Sequence, residues 1–222
     1  MIDAKRLLES WLFAELNPVS RRQALVDVYE RIFEQNQVVM LAHEPCKAVY
    51  FVAEGVVRAY LSSLEGREYV FDYFVPGDFF NIEAAIVDQT VRFTADVLTN
   101  VTLYAIPCDR FMIWMHEYPQ LAQAVSDHLA HEVCRLSDMV EGLALHTVRT
   151  RLARFLLARA DDKLPHKIWT QGDIAAHIGT VRDVVGRTLR EFGREGLVRR
   201  ERGRLVVTNR NALESEAMRF AI

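Results

Sequence analysis

The stretch Thr170 to Arg187 reads TQGDIAAHIGTVRDVVGR, and its spacing predicts two short helices joined by a tight turn. Thr170 can cap the first helix, with Asp173 three residues further on to complete an acidic form of the capping box. Gly179 provides a turn residue that is free of Cβ constraint. The sequence therefore predicts a helix–turn–helix in this stretch.

The second of these helices has one apolar and one charged face. The residues expected to pack inward are Val181, Val184, Val185 and Leu189. The residues expected to point outward are Arg182, Asp183, Arg187 and Arg190. Such a helix suits the major groove of DNA, because one arginine can make two hydrogen bonds with a guanine. A solvated helical hairpin would also carry a charged face.

The residues that follow favour the DNA-binding interpretation. After EFGREGLV, apolar residues flank a turn at Arg202-Gly203, which predicts a β-hairpin. The arginines of this hairpin are Arg199, Arg200, Arg202 and Arg204. A basic hairpin in this position is typical of the wing of a winged helix-turn-helix, which meets DNA phosphates.

Charge is distributed unevenly along the 222 residues. Residues 1–145 hold 11 Lys or Arg and 21 Asp or Glu, whereas residues 146–222 hold 16 and 9. This basic C-terminal part is the part expected to meet nucleic acid. No uncharged apolar run approaches the ~18 residues of a membrane span, and no signal peptide is recognisable, so the sequence predicts a cytoplasmic protein. The scattered Cys46, Cys108 and Cys134 indicate neither a disulfide framework nor a metal site.

The N-terminal part has a different texture. Residues 1 to about 35 are predicted to be mostly helical, and residues 38–106 form short β-type runs separated by turns. These runs are VVML, VYFV, VVRAYL, YVFDYFV, FTADVL and VTLYAI. They predict an antiparallel barrel or roll, interrupted by a short helix within residues 81–90.

A long helix is predicted to begin at Pro119. Apolar residues recur along it with heptad spacing, which favours a two-stranded coiled coil, although a helix packed on its own domain would show the same stripe. A homodimer also suits a helix-turn-helix protein that binds two half-sites. The expected interface residues are Ala122, Val125, Leu129, Val133, Leu136, Val140 and Leu143.

A β-roll, a long helix and a winged helix-turn-helix, in this order, resemble the Crp/Fnr family of bacterial transcription regulators over residues 25 to 210. The resemblance implies an α+β fold: a cyclic-nucleotide-binding-like β-roll over residues 1–118, a dimerisation helix over 119–145 and a DNA-binding domain over 146–222. It also implies double-stranded DNA with a pseudo-palindromic site, a second copy of the chain and RNA polymerase as partners.

The family's recognition helix carries an R-E-x-x-x-R pattern, and here the pattern begins at Arg182 and ends at Arg187. The resemblance implies that these two arginines contact guanines. Asp183 stands where the family's glutamate accepts from a base amino group, and Thr170 matches a threonine that touches phosphate. The full set of expected DNA contacts is Thr170, Gln171, Arg182, Asp183, Arg187, Arg190, Arg202 and Arg204.

The nucleotide cassette of the family's cyclic-AMP receptors is changed. Its Gly-Glu and Arg-Ser pairs correspond here to Asn81-Ile82 and Arg92-Phe93, and the Thr-Ser pair that grips adenine corresponds to Leu136-Ser137. We therefore predict that cyclic AMP is not the effector. The expected pocket residues, Ile82, Arg92, Phe93, Leu136 and Ser137, suit a hydrophobic carboxylate, an aromatic effector or a pocket filled by its own side chains. Arg92 is either an anchor for an acid or a surface charge.

Other chemistry is not favoured by the sequence. No cysteine precedes Cys46, so the family's iron–sulfur cluster is not expected. His128, His131 and Cys134 fan around the long helix rather than converge, which argues against a metal or haem site. No nucleophile with its base and orienting group is present, so an enzyme is not predicted. The remaining alternative is a ligand-binding module whose C-terminal domain mediates protein contacts.

Overall fold

The structure is a computed structural model, and the residues that it describes are 5–14, 16–87, 90–160, 169–201 and 204–219. The chain divides into two compact units. The first unit comprises residues 1–62 and 71–133, and the second comprises residues 63–70 and 134–222. The predicted long helix is present and contributes residues to both units.

The first unit begins with helices α1 (Lys5–Leu8) and α2 (Pro18–Leu25). Asn17 caps α2, because its side-chain oxygen accepts hydrogen bonds from the next backbone amides. The expectation of helix as far as residue 35 is wrong, since Tyr29–Phe33 forms strand β1. Tyr, Ile and Phe in this run favour a strand, and antiparallel pairing with a later strand stabilises it.

Two four-stranded sheets follow, and they confirm the predicted antiparallel roll. Their remaining strands are β2 (Val38–Met40), β3 (Ala48–Glu54), β4 (Val57–Ser62), β5 (Glu68–Phe74), β6 (Phe79–Phe80), β7 (Thr94–Val97) and β8 (Val101–Pro107). The strand orders are β1-β8-β3-β6 and β2-β7-β4-β5. Strand β8 pairs antiparallel with both β1 and β3, so the end of the sheet region lies beside its beginning.

Helices flank and follow the sheets. They are α3 (Ile82–Ile86), α4 (Cys108–Glu117) and α5 (Pro119–Leu145). The short helix expected within residues 81–90 and the long helix beginning at Pro119 are both confirmed. Phe111, Trp114 and Leu121 are fully buried with the sheet residue Phe51, so α4 and the start of α5 close the core of the first unit.

The second unit contains the end of α5 and the C-terminal elements. These are α6 (Val148–Ala160), α7 (Gln171–His177), α8 (Arg182–Arg194), strands β9 (Val198–Glu201) and β10 (Arg204–Val207), and α9 (Arg210–Ala217). Arg149 of α6 joins three of them, because it makes ion pairs with Glu191 and Glu195 near the end of α8 and with Glu216 of α9. These ion pairs join α6 to the end of α8 and to α9.

The structure corrects the expectation that no disulfide is present. Cys46 and Cys108 are bonded although they are 62 residues apart. The reason lies in the strand register, since Ala48 at the start of β3 pairs with Pro107 at the end of β8. Cys134 is free and exposed. Among the described residues, no helix is long and apolar enough to cross a membrane.

Candidate nucleic-acid interface

The start of α7 is held by the predicted capping box. The Thr170 hydroxyl accepts a hydrogen bond from the backbone amide of Asp173 at 3.2 Å, and the Asp173 carboxylate accepts from the backbone amide of Thr170 at 2.7 Å. The next residue, Gln171, packs against α8, because a Cβ atom at Gly186 would lie 3.2 Å from its side-chain oxygen. The first helix of the motif is therefore fixed to the second by close contact.

The turn between the two helices requires glycine. Gly179 has a φ of +67°, and a Cβ atom there would lie 2.8 Å from the Leu143 side chain and 3.4 Å from the Tyr69 ring. Arg151 donates to the carbonyl oxygens of Ile178 and His146, both at 2.8 Å. The contacts of Arg151 and Tyr69 cannot be predicted from local spacing in the sequence.

Helix α8 has the two faces that its sequence predicts. Val185, Leu189 and Phe192 are buried in the core of the second unit. The charged residues on the opposite face are exposed: Arg182, Asp183, Arg187 and Arg190. The helix therefore presents a charged surface from its first turn, while its other face is held by close packing.

Val181 does not follow the predicted pattern of buried and exposed residues. It was expected to pack inward, yet 43% of its surface is exposed. It is the N-cap residue of α8, with an extended backbone, so it precedes the helix and does not share its buried face. Valine cannot supply a side-chain acceptor here, and no side-chain cap is present. Because no Ser, Thr, Asp or Asn immediately precedes Arg182, the sequence contains no capping signal that marks the start of α8.

The wing is a two-stranded antiparallel hairpin of β9 and β10. Arg199 and Arg200 are exposed on β9, and Arg199 makes an ion pair with Glu201. Two residues of the expected tip, Arg202 and Gly203, lie outside the described residues. Arg204 begins β10, but only its backbone is described.

A partly buried histidine, His177, ends α7. The ring centroid of His177 is 5.2 Å from that of Phe155 and 5.8 Å from that of Trp169. Burial, together with the charge of Arg159, lowers the pKa of His177 to about 4. The imidazole is therefore neutral at physiological pH, and it serves packing rather than contact with an anion.

The expected effector residues fall in different environments. Ile82 and Phe93 are buried in the first unit, whereas Arg92 is exposed. Leu136 and Ser137 are exposed residues of the second unit. Burial raises the pKa of Glu83, which follows Ile82, and the charge of Arg92 acts in the opposite direction.

Aromatic side chains contact one another within the β-roll. Phe80 stacks on Tyr50 at 5.1 Å and on Phe74 at 4.9 Å, measured between ring centroids. Phe71 meets Phe93 edge to face at 5.0 Å. Phe93, one of the expected pocket residues, is therefore in contact with another aromatic side chain of the same unit.

The apolar stripe of α5 divides into two parts. Val125 is fully buried in the core of its own unit, so its place in the expected dimer interface is a correction. Ala122 and Leu129 are partly buried near the same end of the helix. Further along, the apolar side chains are exposed, namely Val133, Leu136, Val140 and Leu143.

The histidines of α5 have structural contacts. The His128 ring stacks on Trp11 with 4.6 Å between centroids. Nδ1 of His131 lies 2.7 Å from the Asp127 carbonyl oxygen. Over the described ranges, no group of three or more His, Cys, Asp or Glu side chains could hold a metal ion.

Comparison with known proteins agrees with this architecture. Residues 30–118 match the cyclic nucleotide-binding domain family, and residues 150–216 match the Crp-like helix-turn-helix domain family. The transcriptional regulator LdrP of Thermus thermophilus is 28% identical over 192 residues, which cover 83% of this chain and 95% of the relative. The cyclic AMP receptor protein of that species is 27% identical over 212 residues, with coverages of 95% and 98%.

A solved structure gives the same result. A CRP/FNR-family transcriptional regulator from Thermus thermophilus is 25% identical and superposes with a TM-score of 0.72, covering 87% of this chain and 100% of the other. Both matched domains occur in the order that the fold requires, and the exposed arginines lie on the second helix of the matched helix-turn-helix. The chain therefore belongs to the Crp/Fnr family of DNA-binding transcription regulators, and it is not an enzyme.

Proposed function

We propose that this protein is a homodimer that binds a pseudo-palindromic DNA site and regulates transcription through contact with RNA polymerase in the cytoplasm. The observation that carries the proposal is the charged face of α8. Arg182, Asp183 and Arg187 are exposed there, while Val185 and Phe192 anchor the helix in the core. An anchored helix with arginines in its first turns can enter a major groove.

The base contacts follow from the chemistry of these side chains. Arg182 and Arg187 each donate two hydrogen bonds to the O6 and N7 atoms of a guanine. Asp183 accepts from the amino group of a cytosine or adenine, and its short side chain demands a closer approach than glutamate would. The expected phosphate contacts, which set the register without specifying sequence, are Thr170, Gln171, Arg190, Arg202 and Arg204.

Val181 adds an apolar contact to this set. Its methyl groups are exposed immediately before Arg182, at the end of α8 that enters the groove. The major groove offers one apolar group, the 5-methyl of thymine. We infer that Val181 packs against a thymine methyl beside the Arg182 base, which would account for an exposed valine where a capping residue is preferred.

Dimerisation is supported by the exposed part of the α5 stripe. Val133 and Val140 are 63% and 64% exposed, and Leu136 and Leu143 are exposed beside them. An apolar stripe with heptad spacing is the surface that a two-stranded coiled coil buries. A second copy of α5 would cover it and would present two recognition helices to two half-sites.

Cyclic AMP is not the effector in this proposal, although some relatives are named for it. Ile82, Phe93 and Leu136 occupy positions at which the family's cyclic-AMP receptors bind the nucleotide through polar groups. Each lost partner costs ~1–3 kcal/mol, and three losses remove most of the ~8 kcal/mol of a micromolar complex. The stacked rings of Phe74, Phe80 and Tyr50 support a β-roll filled by its own side chains.

Selection of bound fragments from random DNA tests the DNA-binding function. The expected product is an inverted repeat with half-sites about 34–36 Å apart, one helical turn. Its affinity should fall linearly with salt concentration on a logarithmic scale. No enriched repeat and no salt dependence would instead favour a ligand-binding module whose C-terminal domain binds protein.

Calorimetric titration tests the effector assignment. Cyclic AMP should produce no binding heat with this protein, whereas the cyclic AMP receptor protein of Thermus thermophilus provides the matched positive control. Micromolar binding here would contradict the proposal.

A further inference from the structure

Two cysteines of the first unit lie together although the sequence separates them widely. Cys46 precedes β3, Cys108 is the first residue of α4, and their Cα atoms are 6.8 Å apart. The backbone amide of Cys108 donates to the carbonyl oxygen of Lys47 at 3.3 Å, so the pairing of β3 with β8 continues as far as the cysteines. The pairing of β3 with β8 therefore brings these two side chains together.

We propose that Cys46 and Cys108 form a redox-responsive dithiol–disulfide pair whose state changes the affinity of the protein for DNA. The inference rests on the proposed function in one respect, since a transcription regulator works in the compartment that holds the DNA. Bacterial cytoplasm keeps thiols reduced, and disulfides found there are usually transient, catalytic or redox-sensing.

The surroundings of both sulfur atoms suit thiolate chemistry. The side-chain nitrogen of Asn81 donates to Cys46 Sγ at 3.3 Å. Cys108 is the first residue of a ten-residue helix whose N-cap, Pro107, supplies no side-chain acceptor, so the cysteine lies at the positive end of the helix. Asp109 in the same turn acts in the opposite direction. Donors to sulfur and helix N-termini are features of reactive cysteines.

The two cysteines differ in accessibility, which assigns their roles. Cys46 is partly exposed, and its neighbours Pro45 and Lys47 are exposed. Cys108 is buried in the core with Trp114. Cys46 is therefore the sulfur that an oxidant reaches first, and Cys108 is the resolving partner.

The chemical step needs a hydroperoxide as oxidant. The Cys46 thiolate attacks one peroxide oxygen, the O–O bond breaks, and the released alkoxide takes a proton from solvent to leave as alcohol or water. The Cys108 thiol then attacks the Cys46 sulfenic acid, so the S–O bond breaks, water leaves and the S–S bond forms. The two thiols lose two electrons, which the hydroperoxide gains. Two molecules of glutathione reverse the step and leave as their own disulfide.

Cys46 and Cys108 are connected to elements through which a change in their bonding can affect the rest of the chain. Asn81 donates to both Cys46 Sγ and the Ala48 carbonyl oxygen, and it joins β6 to α3 with a φ of 67°. Its Oδ1 atom is buried and has no partner within the part of the chain that the structure describes. On the other side, α4 leads through Tyr118 directly into α5, which carries the exposed apolar stripe. A bond at Cys108 therefore restrains the element that precedes the proposed dimer helix.

The test uses the full-length chain with Cys134→Ser, which removes the free exposed cysteine and with it disulfides between molecules. The protein is equilibrated in buffers of varied reduced to oxidised glutathione, the thiols are alkylated, and mass spectrometry follows the peptides that contain Cys46 and Cys108. DNA affinity is measured on the selected site by fluorescence anisotropy in fully reduced and peroxide-oxidised protein. Further substitution of Cys46→Ser or Cys108→Ser provides two independent redox-inert variants.

We expect the pair to be reduced by millimolar glutathione, to oxidise with peroxide, and to change DNA affinity about fivefold or more. Both redox-inert variants should show one affinity under both conditions. A bond that resists excess glutathione, thiols that never pair, or equal affinities in both states would overturn the inference. If no DNA is selected in either state, the proposed function fails and the coupling with it, while the thiol titration still decides whether the pair cycles.

Discussion

The two units differ in how their chemistry relates to that of the family. In the second unit, the resemblance implies that Arg182 and Arg187 keep the residue types of the family's DNA contacts, and both are exposed. In the first unit, the resemblance implies that Ile82 and Phe93 replace polar nucleotide contacts of cyclic-AMP receptors, and both are buried. DNA presents the same phosphates and base edges to every regulator, whereas an interior can change its ligand, or lose it, as long as it remains packed.

The two units also differ in the interactions that stabilise them. Stacked aromatic rings and a disulfide hold the first unit. The second contains the ion pairs of Arg149 and a partly buried neutral histidine, His177. Redox state should therefore act on the first unit and acidity on the second.

Reduction of the disulfide gives the largest expected effect. Opening a loop of 62 residues between Cys46 and Cys108 should lower the free energy of unfolding of the first unit by about 4 kcal/mol, because the reduced unfolded chain regains loop entropy. Hydrogen exchange with and without reductant, followed by mass spectrometry, measures this in peptides from β3 and β8.

Peptides from α6 and α8 are the internal control, since they should exchange at unchanged rates. Equal destabilisation of both units would show that the stabilising effect of the disulfide is not confined to the first unit.

Acidification should act mainly on the second unit. The folded pKa of His177 is about 4 and the unfolded value is ~6.5, so the unfolded chain binds more protons between these values. The stability that the neutral histidine provides is complete above pH ~6.5 and is lost as the pH falls towards 4, by about 3 kcal/mol in total. Denaturant unfolding across this range, followed by exchange in α7 peptides, measures the loss.

The first unit provides the contrast. Burial raises the pKa of Asp78 and Glu83, so protonation of these groups favours the folded state as the pH falls. The matched variant His177→Gln removes the titrating group from the second unit and should flatten its pH dependence. A steep dependence that persists in this variant would show that another group is responsible.

Substitution of a recognition arginine should act on DNA affinity without affecting stability. Arg187→Ala should cost about 1–3 kcal/mol and relax the preference at one base of each half-site, because a bidentate guanine contact is lost. Competition among single-base variants of the selected site measures it. Arg194→Ala, in the last turn of α8 and also exposed, is the matched control. An equal loss on every sequence would mean that Arg187 touches only phosphate.

Local signals made much of the second unit predictable. The Thr170–Asp173 capping box and the left-handed Gly179 each depend on a few consecutive residues, and the structure contains both. In the first unit, Pro119 fixed the start of α5 for the same reason. Where the decisive interaction lies within one turn, the sequence is sufficient.

The features that the sequence did not predict have a common physical cause. Each is determined by a residue far away in the sequence or by a shift of one residue in the start of a helix. The strand at Tyr29–Phe33 is stabilised by β8, and the Cys46–Cys108 bond follows from the pairing of Ala48 with Pro107. Val125 has the spacing of an interface residue, but an apolar stripe does not specify whether its own domain or a partner covers it. Val181 has helical spacing yet lies one residue before the helix.

Substitution of Val181 should have the smallest effect on stability, and it tests most directly how the exposed face of α8 contacts DNA. Val181→Ser supplies the missing N-cap and should raise the free energy of unfolding of the second unit by about 1 kcal/mol. The same change removes the methyl groups proposed to contact thymine. DNA with deoxyuridine in place of one thymine per half-site lacks only the 5-methyl group, and it should bind the unsubstituted protein about fourfold more weakly.

The serine variant should not distinguish thymine from deoxyuridine at that base, although its fold is more stable. If Val181 only stabilised the fold, the variant's free energy of unfolding and its discrimination between thymine and deoxyuridine would rise or fall together. A more stable variant that has lost the discrimination therefore indicates a direct contact with the thymine methyl. Val26→Ser, at a strongly exposed valine of the first unit, should change neither. If deoxyuridine has no effect at any position while Arg187→Ala still relaxes one base, α8 binds DNA through its charged residues alone, and Val181 has no part in recognition.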